Sequence, residues 1–69
     1  MNNHLKFSPS AARHNAGYTQ RAVAEILGVS KSTITSYEKY RTSPDMRTAA
    51  KMAALYGLSI GDIAWNPQQ

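Results

Sequence analysis

The stretch TQRAVAEILGVSKSTITSY, residues 19–37, decides the fold of this chain. Its apolar residues recur at helical spacing before Gly28, are interrupted there, and resume at helical spacing from Ile34. Thr19 and Ser30 stand immediately before the two periodic segments, where a hydroxyl can accept a hydrogen bond from an unpaired backbone N–H. The pattern therefore predicts two short helices, each capped by a hydroxyl and separated by a glycine.

The turn between these two helices carries small residues at the points of closest approach. Gly28 falls where the first helix ends and the chain must turn sharply, a conformation that a residue with a Cβ rarely adopts. Ala24 lies one helical turn earlier, where two helices crossing steeply leave no room for a larger side chain. These intervals predict a helix-turn-helix over residues 19–38. The alternative is a chance pair of helices joined at a glycine.

The second helix of the motif, predicted over residues 31–39, has an open face of short polar and basic groups. The face opposite Ile34 and Tyr37 carries Lys31, Ser32, Thr35 and Ser36. No acid occurs in this helix before Glu38, whereas a helix that only faces solvent usually mixes Glu and Lys at four-residue spacing. Because hydroxyls and cations can donate hydrogen bonds to base edges and phosphates, this face is the candidate nucleic-acid surface.

The length and charge of the chain allow one small basic domain. A chain of 69 residues buries only about 60% of its unfolded surface, so the core is expected to be thin. The formal net charge is +4, from eight Lys and Arg against four Asp and Glu. This charge suits a polyanionic partner but does not prove one. Because a second domain does not fit in this length, we expect any oligomerisation module to come from another chain.

The composition argues against several classes of protein. The chain has no cysteine and only His4 and His14 as imidazoles, so we expect no metal site and no cofactor. No apolar run approaches the ~20 residues of a membrane span, and the N-terminal segment lacks a signal-peptide core. We therefore expect a cytoplasmic protein without a membrane partner. The acids are scattered and no glycine-rich phosphate loop occurs, so we expect no catalytic residue, no small-molecule substrate and no enzymatic activity.

Three further helices are predicted around the motif, and no strand. The first begins at Pro9, with Ser8 as its cap, and ends at Gly17. The fourth begins after Asp45, and its apolar residues recur at three- and four-residue spacing to form a buried stripe. The members of this stripe are Met46, Ala49, Met52, Ala53 and Tyr56. Ser59 is expected to cap a short fifth helix with the sequence IGDIAW.

The predicted organisation is one compact all-α domain of five helices. The domain is expected over residues 8–65, with the helix-turn-helix motif at 19–38 as its second and third helices. Residues 1–7 are expected to form a flexible N-terminal arm. Residues 66–69 are expected to form a frayed C-terminus.

Taken together, these residues resemble the lambda-repressor-like family of phage and bacterial regulators, the Cro and C1 type. The resemblance covers roughly residues 9–64. The matching residues are Arg13, Gly17, Tyr18, Thr19, Gln20, Ala24, Gly28, Val29, Ser30, Ile34, Tyr37, Glu38, Pro44, Ala53, Gly57 and Ile63. The resemblance implies a five-helix domain that binds double-stranded operator DNA, usually as a symmetric dimer, with the third helix in the major groove. The family often has a glycine where this chain has Tyr40, which predicts a third helix that runs longer or turns differently.

The resemblance also implies a role for each matched polar residue. Gln20 corresponds to a glutamine that contacts a phosphate and braces the first base-contacting side chains, and the helix N-terminus beside it is itself an anion site. Arg13 and Glu38 correspond to a structural ion pair between the first and third helices. The expected base-contacting residues are Lys31, Ser32 and Ser36, and the expected backbone-contacting loop residues are Lys39, Arg41 and Thr42. The complete predicted DNA-binding set is Thr19, Gln20, Ser30, Lys31, Ser32, Thr35, Ser36, Lys39, Arg41 and Thr42.

The sequence leaves two functions open. One is sequence-specific transcriptional regulation, as a small phage or bacterial repressor in the bacterial cytoplasm or nucleoid. The other is protein binding, because small phage regulators of this fold can act as antirepressors by pairing with another repressor. We expect a homodimer, or a pair with another repressor, to form through the C-terminal helix around Ile60, Ile63 and Trp65. Trp65 itself either seals the base of the core or is an exposed aromatic anchor.

Overall fold

The computed structural model describes residues 5–67 as four α-helices and one 3₁₀ turn. The elements are α1 (Pro9–Ala16), α2 (Gln20–Leu27), α3 (Lys31–Glu38), α4 (Met46–Leu55) and the 3₁₀ turn Ile60–Asp62. An all-α fold is confirmed, although one isolated parallel bridge pairs Phe7 with Ile63. The first four residues of the predicted arm and the last two residues of the predicted frayed end lie outside the described residues. No helix in the described range is long and apolar enough to span a bilayer.

The predicted fifth helix is wrong, because its sequence forms only the three-residue turn Ile60–Asp62. The carboxylate of Asp62 folds back on Ser59, whose backbone N–H and hydroxyl both donate to Oδ2 at 2.9 Å. The chain then becomes extended and pairs with the N-terminal segment. The Phe7 N–H donates to the Asp62 carbonyl at 2.9 Å, and the Ala64 N–H donates to the Phe7 carbonyl at 2.8 Å. Pairing with the N-terminal segment therefore replaces the last turn of the predicted helix.

The first three α-helices begin at the capping residues that the sequence predicts, and α4 begins at a fourth cap, Asp45. The side chains of Ser8, Thr19, Ser30 and Asp45 each accept a hydrogen bond from the backbone N–H three residues later, at 2.8 to 3.2 Å. Such a cap pairs a backbone donor that the helix itself leaves unpaired. The C-terminal ends of α1 and α2 are at Gly17 and Gly28, which adopt φ of 85° and 74°. The helix α2 therefore begins after Thr19 and ends at Gly28, and α3 begins after Ser30.

The end of α3 differs from these two ends, because the residue in the left-handed conformation is Tyr40, with φ of 60°. The Tyr40 N–H donates to the Tyr37 carbonyl at 3.2 Å, and the Arg41 N–H donates to the Ser36 carbonyl at 2.9 Å. These two hydrogen bonds form a Schellman motif, which usually has glycine at this position. The longer or differently turned helix predicted from Tyr40 is therefore wrong, since α3 ends in the turn that a glycine would form.

The core lies where the four α-helices and the C-terminal segment meet. Its buried residues are Ala12, Val23, Ala24, Ile34, Met52, Ala53, Tyr56 and Ile63. The predicted stripe on α4 is confirmed at four of its five positions, because Ala49 is buried together with Met52, Ala53 and Tyr56. Met46 is the exception, with 74% of its surface exposed. It is the first residue of α4, at the edge of the core, where spacing alone does not establish burial.

Candidate nucleic-acid interface

The polar side chains predicted to contact bases occupy one outward face of α3. Ile34 anchors the helix to the core and is fully buried. Residues three and four positions apart share a helix face, so Ser32 lies with Thr35 and Ser36 on the side away from Ile34, and Lys31 lies beside Thr35 at the edge of that side. Of these side chains, Lys31 and Ser32 are exposed, and Thr35 and Ser36 are half-buried.

Gln20 is held between α2 and α3 by two hydrogen bonds. Its Nε2 donates to Glu38 Oε1 at 2.9 Å, and its Oε1 accepts from Thr35 Oγ1 at 3.1 Å. The Thr35 hydroxyl also lies 3.2 Å from the carbonyl of Lys31. Because a glutamine amide has two N–H groups, this arrangement leaves one of them for a phosphate. The side chain that Gln20 braces on α3 is therefore Thr35.

Arg13 and Glu38 join α1 to α3 by a buried, two-pronged ion pair. Arg13 Nε lies 2.6 Å from Glu38 Oε2, and Arg13 Nη2 lies 3.2 Å from Glu38 Oε1. The two side chains are only 8% and 6% exposed. Arg13 Nη1 also donates to the carbonyl of Tyr18 at 2.9 Å, at the start of the turn between α1 and α2. The ion pair implied by the family resemblance is present, and it lies directly behind the Gln20–Thr35 hydrogen bond.

Ser30 has a structural role in addition to its predicted DNA contact. Its Oγ accepts from the Thr33 N–H at 3.2 Å and lies 2.9 Å from Thr33 Oγ1. The Ser32 hydroxyl lies 3.0 Å from the same oxygen. These contacts organise the first turn of α3, so Ser30 orients the helix that carries the side chains predicted to contact bases.

An open cleft of about 550 Å³ lies beside the N-termini of α2 and α3. Its lining residues are Arg13, His14, Tyr18, Thr19, Gln20, Arg21 and Lys31. The unpaired N–H groups at the start of α2 favour an anion in this cleft, and so do its basic side chains. Neither His14 nor Arg21 is in the DNA-binding set predicted from the sequence. The signal that could have identified Arg21 is its position directly after Gln20, in the first turn of α2.

The loop after α3 presents its predicted phosphate contacts to solvent. Lys39, Arg41 and Thr42 are all exposed. Tyr40, in contrast, is half-buried, and its hydroxyl donates to the carbonyl of Ala64 at 3.2 Å. The loop is therefore attached to the body of the domain at Tyr40, while its cations remain accessible.

The C-terminal segment corrects part of the predicted protein interface. Ile63 is fully buried, so it cannot contact a partner while the domain is folded, and its assignment to an interface is wrong. The cause is the extended backbone after the 3₁₀ turn, which places Ile63 in the core beside Phe7. Ile60 and Trp65 are half-buried and pack against the core, and Trp65 Nε1 donates to the Ile60 carbonyl at 3.1 Å. These contacts favour the interpretation in which Trp65 seals the core.

Tyr56 lies buried behind the ion pair. Its ring packs against that of Tyr18, with 6.3 Å between the ring centroids. Burial, followed by the negative charge of Glu38, raises the pKa of Tyr56 to about 12. Within the described part of the chain its hydroxyl has no hydrogen-bond partner. No group of His, Asp and Glu side chains in the same range could hold a metal ion.

Among known proteins, this chain is similar to several transcriptional regulators and repressors. An uncharacterized HTH-type transcriptional regulator from Methanocaldococcus jannaschii is 41% identical over 63 residues, which cover 91% of this chain and 89% of that protein. The HTH-type transcriptional regulator PuuR of Escherichia coli (strain K12) is 33% identical over 60 residues, 87% of this chain. The cryptic phage CTXphi transcriptional repressor RstR of Vibrio cholerae is 41% identical over 44 residues, 64% of this chain and 40% of the repressor.

The extent of these matches differs among the relatives. The chain spans about a third of the length of PuuR, since the aligned part is 32% of that protein. No solved structure matches the chain.

A family model described as Helix-turn-helix (HTH_3) matches residues 10–63, a range that contains α2, α3, α4 and all but the first residue of α1. The chain therefore belongs to the HTH_3 family of helix-turn-helix proteins, the Cro/C1, lambda-repressor-like type.

Proposed function

We propose that this chain is a sequence-specific DNA-binding domain that represses transcription by inserting α3 into the major groove of operator DNA. The observation that carries the proposal is the outward face of α3, which is polar and basic, contains no acid before Glu38, and adjoins a cleft lined by cations. The major groove of B-DNA is about 12 Å wide and admits an α-helix, so a face of this kind can approach base edges directly.

Each group of side chains has a distinct contact in this proposal. Lys31, at the exposed N-terminal end of α3, donates to the O6 and N7 acceptors of a guanine. The remaining N–H of Gln20 and the start of α2 bind a phosphate, with Arg21 beside it. Arg41 in the loop after α3 binds a second phosphate further along the backbone. The formal net charge of +4 supports the approach to a polyanion.

The relatives support this proposal through their names, which are those of transcriptional regulators and a phage repressor. The match to PuuR covers a third of that protein, so it supports DNA binding and no further activity. With DNA as the partner, we propose that the chain acts in the cytoplasm or nucleoid of the cell that carries the operator.

We also propose that two copies act together on DNA, as a homodimer or as a pair with another repressor. One domain presents one α3 and therefore contacts about one half-site, whereas tight operator binding by this kind of motif generally uses two. The antirepressor role has less support. The exposed face of α3 has none of the large apolar or aromatic side chains that are enriched at protein–protein interfaces.

Two alanine variants test the proposal on a DNA duplex selected from a random pool by the parent chain. Lys31→Ala is expected to lose ~1–3 kcal/mol of discrimination at one base pair. Arg41→Ala is expected to weaken binding to all sequences alike and to reduce the slope of log K against log salt by ~1. Each variant removes one positive charge, so each controls for the other's effect on net charge. A purified, folded parent chain that shows no salt-dependent binding to any duplex would overturn the proposal.

A further inference from the structure

Tyr40 is the only residue other than glycine within residues 5–67 that has a positive φ. At φ of 60° its Cβ is crowded by the backbone, a conformation that glycine adopts without cost. The Schellman turn at the end of α3 therefore forms although position 40 is not a glycine.

The interaction that the side chain makes is a tether to the C-terminal segment. The Tyr40 hydroxyl donates to the carbonyl of Ala64 at 3.2 Å. Ala64 is itself fixed, because it is buried and its N–H donates to the carbonyl of Phe7 at 2.8 Å. The loop after α3 is thereby connected to the C-terminal segment, which is itself paired with the N-terminal segment. A glycine at position 40 would form the turn more easily but would leave this loop without the tether.

The hydrogen bond between Tyr40 and Ala64 bears on the next residue, Arg41. The Arg41 N–H donates to the Ser36 carbonyl at 2.9 Å, and the Thr42 N–H lies 3.5 Å from the same oxygen. The backbone of the loop is therefore held from two sides, by α3 through Ser36 and by the C-terminal segment through Tyr40. The Arg41 side chain remains exposed at the end of this fixed backbone.

We propose that Tyr40 is a positioning residue for DNA binding, which holds the loop after α3 in place so that Arg41 contacts a phosphate without first being ordered. Ordering a mobile loop on binding costs conformational entropy, and a preorganised loop avoids that cost. The inference rests on the proposed DNA-binding function and deepens it. On this inference Tyr40 contacts no phosphate. It nevertheless contributes to the part of the affinity that is the same for all DNA sequences.

The test is a double-mutant cycle with Tyr40→Phe and Arg41→Ala, measured on a random-sequence 20-base-pair duplex at several salt concentrations. Tyr40→Phe keeps the ring and removes only the hydroxyl. Loss of one hydrogen bond is expected to weaken binding roughly three- to tenfold in the parent chain. In the Arg41→Ala chain the same change is expected to have no further effect, because the contact that it positions is gone. Tyr37→Phe, which removes the hydroxyl of a half-buried tyrosine that packs against the core, is the matched control and is expected to bind like the parent.

A second readout requires no DNA. Hydrogen exchange of the Arg41 amide is expected to be faster in Tyr40→Phe, while exchange of the α2 amides is unchanged. Equal DNA binding by the parent and Tyr40→Phe would overturn the inference, and so would equal losses with and without Arg41. A parent chain that shows no salt-dependent binding to this duplex or to the duplex selected from a random pool would overturn the proposed function and this inference with it. A failure confined to Tyr40 leaves the parent's salt-dependent binding intact, so the two failures are distinguishable.

Discussion

Glu38 joins three helices through one carboxylate. It accepts from Arg13 Nε of α1 at 2.6 Å and from Gln20 Nε2 of α2 at 2.9 Å, and it is itself the last residue of α3. Because the Arg13 and Glu38 side chains are almost completely buried, water cannot replace either partner if the other is removed. The position of the Thr35 hydroxyl on the outward face of α3 depends on the same carboxylate, through Gln20.

Arg13→Met is expected to lower the free energy of unfolding by ~3–5 kcal/mol, because it leaves the Glu38 charge buried without its partner. Urea denaturation followed by circular dichroism measures the change. Arg47→Met is the matched control, since Arg47 is exposed on α4, and its effect is expected to stay within ~0.5 kcal/mol. Similar denaturation midpoints for the two variants would show that the ion pair contributes little.

Tyr56→Phe is expected to stabilise the domain. At pH 7 it removes a buried hydroxyl that has no partner among the described residues, for a gain of ~1 kcal/mol. The gain should grow with pH. In the unfolded chain the pKa of this tyrosine lies near the ordinary value of 10.0, whereas in the folded domain its pKa is about 12. The parent therefore loses stability between those two values, by roughly 2–3 kcal/mol, and the phenylalanine variant lacks this loss. Urea denaturation at pH 8 and pH 12 tests it, and a constant difference between the two chains would contradict it.

The helices of this domain are short, and their ends determine where they form. Four helices of eight to ten residues would be marginal in isolation, so each depends on its cap and on packing. The caps and the glycine ends could be predicted from sequence because they act within three residues. The bridge between Phe7 and Ile63 could not, because it joins the two ends of the chain and leaves no local pattern.

The candidate site likewise has some features that could be predicted from the local sequence and others that could not. Helical spacing predicts which residues share the outward face of α3, since that face depends only on the period of the helix. The hydrogen bond from Thr35 to Gln20 joins side chains 15 residues apart and depends on how α2 crosses α3. The turn at Tyr40 was predicted wrongly because its tether to Ala64 lies outside the local sequence. Local chemistry is thus visible in the sequence, whereas these two contacts between elements depend on how the chain folds.

Asp45→Asn tests the cap of α4 through its pH dependence. The Thr48 N–H donates to Asp45 Oδ1 at 2.8 Å, and this hydrogen bond is the main cause that lowers the pKa of Asp45 below 3.8. The folded state therefore holds the charged form more favourably than the unfolded state does. This contribution is present above the unfolded value and is lost as the pH falls through the folded pKa. Asparagine is a comparable cap that does not titrate, so the variant is expected to lose less stability than the parent between pH 6 and pH 2.5. Parallel thermal midpoints over that range would contradict the expectation.

The dimensions of the whole molecule bear on how two copies would share one operator. The domain measures 39 × 23 × 19 Å and carries a single α3. Half-sites contacted from one side of a duplex are ~34 Å apart, which is one helical turn. Two domains would approach each other on DNA if their long axes lay along the duplex. Because Ile63 is buried, such a contact must use other residues of the surface. We expect it to bury less than ~1,200 Å² in total, so the free chain should be mostly monomeric.

Selection of binding sequences from a random DNA pool is therefore expected to recover a two-fold symmetric site, with half-sites ~10 base pairs apart from centre to centre. Native mass spectrometry of the complex should show two chains on each selected duplex and one chain in the free protein. Inserting five base pairs between the half-sites is the control, because it moves one half-site to the other side of the duplex and should remove the gain in affinity from the second copy. If one half-site alone binds as tightly as the symmetric site, the domains act independently and a self-contact on DNA is excluded.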